Sequence, residues 1–155
     1  QTKAWEEQKA LERTTSERSS AGSVLAGVAK ALPALLRAHK LQKRAARVNF
    51  DWATAEGALQ KLKEEISELE AEMSMTSTSN NKELLFEEVA DILFSAANVA
   101  RKLDIDPEAA LRYGNKKFEK RFKFVEDKLS ACGKEPKNAS LREMETYWQE
   151  AKDRT

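Results

Sequence analysis

One cysteine, one histidine, three prolines and five glycines are all that this 155-residue chain holds of the residues that most constrain a fold. With Cys132 alone, no intrachain disulfide forms and no thiolate cage for zinc can be built, which fits a reducing compartment such as the cytoplasm. With His39 alone, His-rich zinc chemistry and the Glu-x-x-His pairs of a di-iron bundle are excluded. A charge excess of one sign is missing too. The 27 Lys and Arg oppose 26 Asp and Glu, and a net +1 lacks the basic surplus of a non-specific nucleic-acid binder. There is no long hydrophobic run: the stretch from Val89 to Ala100 is broken by Asp91, Ser95 and Asn98, so nothing is expected to span a membrane. No signal peptide is visible.

What is present is a soluble balance, 41% hydrophobic and 34% charged, patterned almost throughout at helical period with hardly any strand signal. Residues 3–13 are polar and run into Thr14–Gly22, a linker by composition. Together with the missing initiator methionine, this leads us to expect that 1–22 is a tail from an upstream domain and 23–155 a single helical domain. Pro33 suits a first helical turn, and the helix it opens runs to about Arg47. Asp51, in the junction Asn49-Phe50-Asp51-Trp52, is a candidate cap for the next helix, about 54–73, whose apolar stripe is Ala55, Leu59, Leu62, Ile66, Leu69 and Met73.

Ser74 to Asn81 reads as a polar loop, followed by a helix over about 82–103 that buries Leu85, Val89, Ile92, Leu93, Ala96, Ala100 and Leu103. Asp106-Pro107 opens a further helix that stops at Gly133, and Ser140-Leu141-Arg142-Glu143 is a capping box for a terminal one carrying Tyr147 and Trp148. The expected fold is all-α, an antiparallel bundle of four to five helices.

Two acidic pairs stand out. Glu65/Glu68 and Glu88/Asp91 are each spaced three apart, which places both carboxylates of a pair on adjacent turns of one helix face. Residues 69–87 between them suffice to end one helix and start an antiparallel partner. Four carboxylates converging between two helices repel one another unless a cation holds them, and a hard divalent metal such as Mg²⁺ is the natural occupant. The alternative is a solvated face supported by i,i+4 pairs such as Lys61 to Glu65, and for Glu64, Glu70 and Glu72 that reading prevails. Asp91 resists it, because an unpaired carboxylate is costly in the apolar setting of Val89-Ala90-Asp91-Ile92-Leu93-Phe94. Lys117 and Arg121 share a face in Lys116–Phe122, either a charged exterior beside Phe118 and Phe122 or a phosphate clamp. Trp52 and Trp148 read as partial core, with rings able to stack a nucleobase.

These residues resemble a known family. Glu64-Glu65-Ile66-Ser67-Glu68 followed by Glu88-Val89-Ala90-Asp91 is similar to the EExxE…ExxD signature of the MazG nucleoside triphosphate pyrophosphohydrolases, part of the all-α NTP pyrophosphatase superfamily. Pro33–Val48 with Phe50-Asp51-Trp52, Asn115–Phe122 and Tyr147–Lys152 resemble segments of the C-terminal domain of two-domain MazG proteins, in order from about residue 24 to 152. The resemblance implies Mg²⁺-dependent hydrolysis of nucleoside triphosphates to monophosphate and pyrophosphate, with Mn²⁺ able to substitute. It implies Glu65, Glu68, Glu88 and Asp91 as metal ligands and catalytic carboxylates, Lys117 and Arg121 at the triphosphate, and Trp148 near the nucleotide. Asn98, aligned with Asp91, is a further polar contact, and Trp52 a second candidate to stack the base.

A homodimer or homotetramer is implied as well. Two departures are visible: Leu84 stands where some relatives place lysine, and Asn49 where the family favours glycine. The competing expectation is a helical module that binds nucleotide or mediates assembly without turnover.

Overall fold

The computed structural model describes residues 22–75 and 81–154, and among them there are five α-helices, one short 3₁₀ turn and no strand. The helices are α1 (Ala34–Ala46), α2 (Ala55–Ser74), α3 (Asn81–Lys102), α4 (Pro107–Ala131) and α5 (Leu141–Asp153). The expected segment 3–13, the linker through Ala21 and most of the loop after Met75 lie outside the described residues. Among those described, no helix is long and apolar enough to cross a membrane. The chain divides after Glu108 into two compact units.

In the first unit α2 packs along α3, and α1 packs against α3. The α2–α3 pair is antiparallel: the Asn81 amide donates to the Glu72 carbonyl at 2.9 Å, and further along Glu65 meets Glu88 and Asp91. Falling numbers on α2 thus face rising numbers on α3. Thr54 starts α2 by accepting from the Gly57 N–H at 3.1 Å, which corrects the expectation that Asp51 would cap it. Asp51 is committed elsewhere, to Arg101 and Lys102.

Three helices stop in the same way. Asn49, Asp104 and Gly133 take φ of 66°, 58° and 70°. In each case the following N–H reaches back five residues: Phe50 to Ala45, Ile105 to Ala100 and Lys134 to Leu129, at 3.1, 2.8 and 2.9 Å. This is the Schellman closure, and it explains why glycine suits the position that Asn49 holds.

The apolar stripe read on α2 has the right period and the wrong centre. Ala58 and Glu65 are buried, Leu62, Leu69 and Glu72 are half-buried, and Leu59, Ile66 and Met73 are exposed. The packed face is therefore turned roughly 70° toward Glu65 at 100° per residue. On α3, Val89, Leu93 and Leu103 were expected inside but are exposed, as is Ala96, whereas Ala97 is buried.

In the second unit α5 meets α4 through Trp148 and Phe118, and Val125, Leu129 and Ala151 are buried. Phe118 stacks on Phe122 with centroids 5.9 Å apart, and Trp148 tilts against Phe118 at 5.4 Å. Ser140 caps α5 through the Glu143 N–H at 3.1 Å, as the capping box predicts. Glu143 turns its carboxylate to Lys134 Nζ at 3.1 Å, and Lys128 meets Glu150 at 3.2 Å.

Candidate metal centre and apolar cavity

The rotation of α2 carries Glu65 into the interface with α3. Its residue exposure is 5%, unusual for a carboxylate. From α3, Glu88 and Asp91 approach it, and one carboxylate oxygen from each of the three lies within 4.8 Å of the others. A divalent ion holds oxygen ligands at about 2.0–2.6 Å, so any two of its ligands lie no more than about 4–5 Å apart. The three oxygens meet that limit.

Glu88 gives the second observation. Its Oε2 is buried and has no hydrogen-bond partner among the described residues. Burial pushes its carboxyl above the ordinary glutamate value, and the charges of Glu68, Asp91, Glu65 and Glu72 push it further the same way. A buried acceptor that is both unsatisfied and repelled by its neighbours fits a cation. A cation is already at the cluster: Lys61 Nζ lies 2.5 Å from Glu65 Oε1. The hydrogen bond to Glu65 holds this ammonium above its ordinary value, aided by the charges of Glu65, Glu68 and Glu64.

Of the four predicted ligands, the structure thus gathers Glu65, Glu88 and Asp91, while Glu68 stands outside the group but acts on Glu88 through its charge. Asp91 is exposed, so the apolar setting read from its neighbours in sequence does not surround it. The acids that burial singles out are Glu65 and Glu88.

A separate cavity of about 480 Å³ opens in the same unit between α1, the junction that follows it, and α3. Its lining includes Gln42, Phe50, Trp52, Phe94, Asn98 and Arg101. Trp52 and Asn98, predicted as nucleotide contacts from different parts of the chain, share this one cavity. Gln42 is fixed by donating Nε2 to the Phe94 carbonyl at 2.9 Å, and its buried Oε1 has no partner among the described residues.

One rim of the cavity is held by a charged network. The Arg101 guanidinium grips Asp51 with both terminal nitrogens, while its Nε donates to Asn98 Oδ1 at 2.9 Å. Lys102 Nζ donates to Asp51 at 3.3 Å and to the Trp52 carbonyl at 2.7 Å. Asp51 is held below the ordinary carboxylate value, first by the hydrogen bond from Arg101. Sequence reading missed this network and the role of Gln42, because no periodicity connects Asp51 with Arg101 fifty residues on. The signal available was the acid inside Asn49-Phe50-Asp51-Trp52 and the basic pair that ends α3.

The remaining predicted residues belong to the second unit. Lys117 Nζ lies 5.6 Å from the centre of the Tyr113 ring. Arg121 lines a cleft of about 210 Å³ with Lys120, Phe124 and Arg154. Trp148 lines an apolar cavity of about 320 Å³ with Phe118, Phe122 and Met144.

Known proteins share this chain's pattern. It is 41% identical over 148 residues to the nucleoside triphosphate pyrophosphohydrolase of Escherichia coli K12, covering 96% of this chain and 54% of that protein. It is 35% identical over 150 residues to the nucleoside triphosphate pyrophosphohydrolase/pyrophosphatase MazG of Thermotoga maritima, covering 97% and 54%. A Bacillus subtilis protein named YabN is 42% identical over 149 residues, of which this chain spans 29%. The chain thus spans about half the length, or less, of the curated relatives it matches. The resemblance to MazG proteins read from the two acidic pairs is borne out by these names. The pattern that defines the family described as Phosphoribosyl-ATP pyrophosphohydrolase matches residues 33–118. Carrying that pattern over more than half of its length, the chain belongs to the phosphoribosyl-ATP pyrophosphohydrolase family.

Proposed function

We propose that this chain hydrolyses nucleoside triphosphates, ribo or deoxy, to the monophosphate and pyrophosphate with a divalent cation, Mg²⁺ by preference and Mn²⁺ as a substitute. The observation that carries the reading is the buried, unpartnered Glu88 oxygen among three carboxylates within 4.8 Å. The names of the E. coli and T. maritima relatives supply the substrate class.

Glu65, Glu88 and Asp91 are the residues that would hold the cation. When bound, it would polarise the α-phosphate and neutralise charge that develops in the transition state. Glu68 is the acid left over: outside the cluster yet close enough to act on Glu88, it takes the proton of the attacking water. The water oxygen bonds to the α-phosphorus, the bond from that phosphorus to the α,β-bridging oxygen breaks, and pyrophosphate leaves with that oxygen. Lys117 and Arg121 are assigned to the departing phosphates and Trp148 to the nucleotide, on the resemblance alone. Trp52 and Asn98 are assigned to the nucleoside, supported by their shared cavity.

Assembly as a homodimer or homotetramer belongs to the same proposal. Leu59, Ile66 and Met73 on α2 and Val89 and Leu93 on α3 leave apolar surface uncovered on a single chain.

The deciding experiment measures pyrophosphate release from a panel of NTPs and dNTPs, with Mg²⁺ and with chelator, for wild type and Asp91→Ala. Mg²⁺-dependent release lost on substitution is the expected result. Release that persists in a folded Asp91→Ala protein overturns the site, and no release from a folded wild type that still binds NTP points to a silent nucleotide-binding module.

A further inference from the structure

We infer that Asp51 and Arg101 are positioning residues that fix the side-chain amide of Asn98, so that the cavity offers its ligand a hydrogen-bond donor there. An asparagine amide presents one acceptor and two donors that are nearly the same size, so an unrestrained one turns either way. Here the choice is made by Arg101. Its Nε can only donate, and at 2.9 Å it takes Asn98 Oδ1. The Asn98 side chain makes no other hydrogen bond among the described residues, and it lines the cavity, so NH₂ is the group it has left to give.

Arg101 is itself immobilised. Both terminal nitrogens are on Asp51, its side chain is 10% exposed, and Asp51 is pinned in turn by Lys102 and the Trp52 N–H. A planar guanidinium can serve an end-on carboxylate and a side-on amide at once, whereas a lysine ammonium in its place cannot hold that fork geometry.

The consequence is a rule of selection. A ligand group facing Asn98 must be an acceptor, such as a base carbonyl or an unprotonated ring nitrogen, and a donor there leaves two donors opposed. This deepens the proposed function and rests on its assignment of the cavity to the nucleoside.

The test compares affinities for a non-hydrolysable α,β-methylene NTP and for inorganic tripolyphosphate, both with Mg²⁺, by calorimetry. Asn98→Asp keeps an oxygen for Arg101 and removes the donor. Arg101→Lys keeps the charge beside Asp51 and removes the fork, and Asp51→Asn removes the anchor in case the lysine variant folds poorly. Each should weaken the nucleotide by about 10- to 100-fold, the cost of a buried hydrogen bond. Tripolyphosphate, which has no nucleoside, should bind as to wild type. The Arg101→Lys/Asn98→Asp pair should be no weaker than Asn98→Asp alone, since both act at one amide.

Nucleotide affinity unchanged in a folded Arg101→Lys or Asp51→Asn, additive losses in the double variant, or equal losses for tripolyphosphate overturn the positioning role. Unchanged nucleotide affinity in Asn98→Asp removes the cavity assignment and the positioning role with it, leaving the metal centre standing. Wild type that binds neither probe overturns the whole reading.

Discussion

Lys61 and Glu65, one turn apart on α2, form an ion pair in which the acid is buried and the base is not: their side chains are 6% and 37% exposed respectively. The pair brings a cation to a cluster of acids before any metal does. Lys61→Met should therefore lower the melting temperature in chelator, because Glu65 then stands buried without a counter-charge. Saturating Mg²⁺ should erase most of that loss. Equal loss with and without Mg²⁺, read by thermal denaturation, would place Lys61 outside the metal's reach.

Glu88 sets a pH dependence of definite sign. Its folded carboxyl lies above the ordinary glutamate value, by burial first and then by the charges of its neighbours. The folded protein therefore keeps this proton to higher pH than the unfolded chain does. The stabilisation is full below the ordinary glutamate range and is lost as pH rises through the raised value. In chelator, wild type should gain stability relative to Glu88→Gln as the buffer is taken from roughly pH 7 to pH 4. The melting shift produced by Mg²⁺ should shrink over the same window, since protons compete for the same oxygen. A difference between the two proteins that does not vary with pH contradicts the assignment.

Glu68 and Asp91 should separate by what they lose. Asp91→Ala should abolish both the Mg²⁺-induced melting shift and turnover, with kcat/KM down by at least about 10³. Glu68→Ala should keep the melting shift while kcat falls by about 10²–10⁴, the range for a proton acceptor. If Glu68→Ala also loses the shift, it is a ligand after all, and the water's proton goes elsewhere.

Gly57 offers a stabilising change. It lies in the first turn of α2, and a Cβ there meets the Trp52 ring at 3.5 Å, ordinary contact distance. Gly57→Ala should add about 0.5–1 kcal/mol in a urea titration by restricting the unfolded chain. A loss of stability instead means the Trp52 ring is not where this contact requires it.

The helices were legible because period and caps act locally. Pro107, Ser140 and Gly133 mark their boundaries by chemistry that depends only on neighbours in sequence, and the structure places them as read. The packed face of α2 was not legible from its apolar stripe. Half of that stripe, Leu59, Ile66 and Met73, is exposed on a single chain, while Glu65 is inside, because period fixes the spacing of a helix face and not which part of it a neighbour covers. The same cause misled the reading of Asp91, judged by its sequence neighbours although Val89, Leu93 and Phe94 are themselves exposed. Three of the four acids were still found together, since a spacing of three survives any rotation of the helix that carries it. The network of Asp51, Arg101 and Asn98 stayed hidden. Long-range partners leave no mark at helical spacing.

The ties that shape the cavity also order events in time. Asp51 reaches Arg101 across 50 residues and Gln42 reaches Phe94 across 52, whereas Lys61 and Glu65 are four apart. Closing the longer loops costs more chain entropy than bringing Glu65 to Glu88, which favours the α2–α3 hairpin forming before the cavity has walls. Chain topology thus favours the acidic cluster as the earlier product of folding and the cavity as the later one. Under gentle denaturation, amide exchange in the 47–54 junction should rise before exchange in the middle of α2.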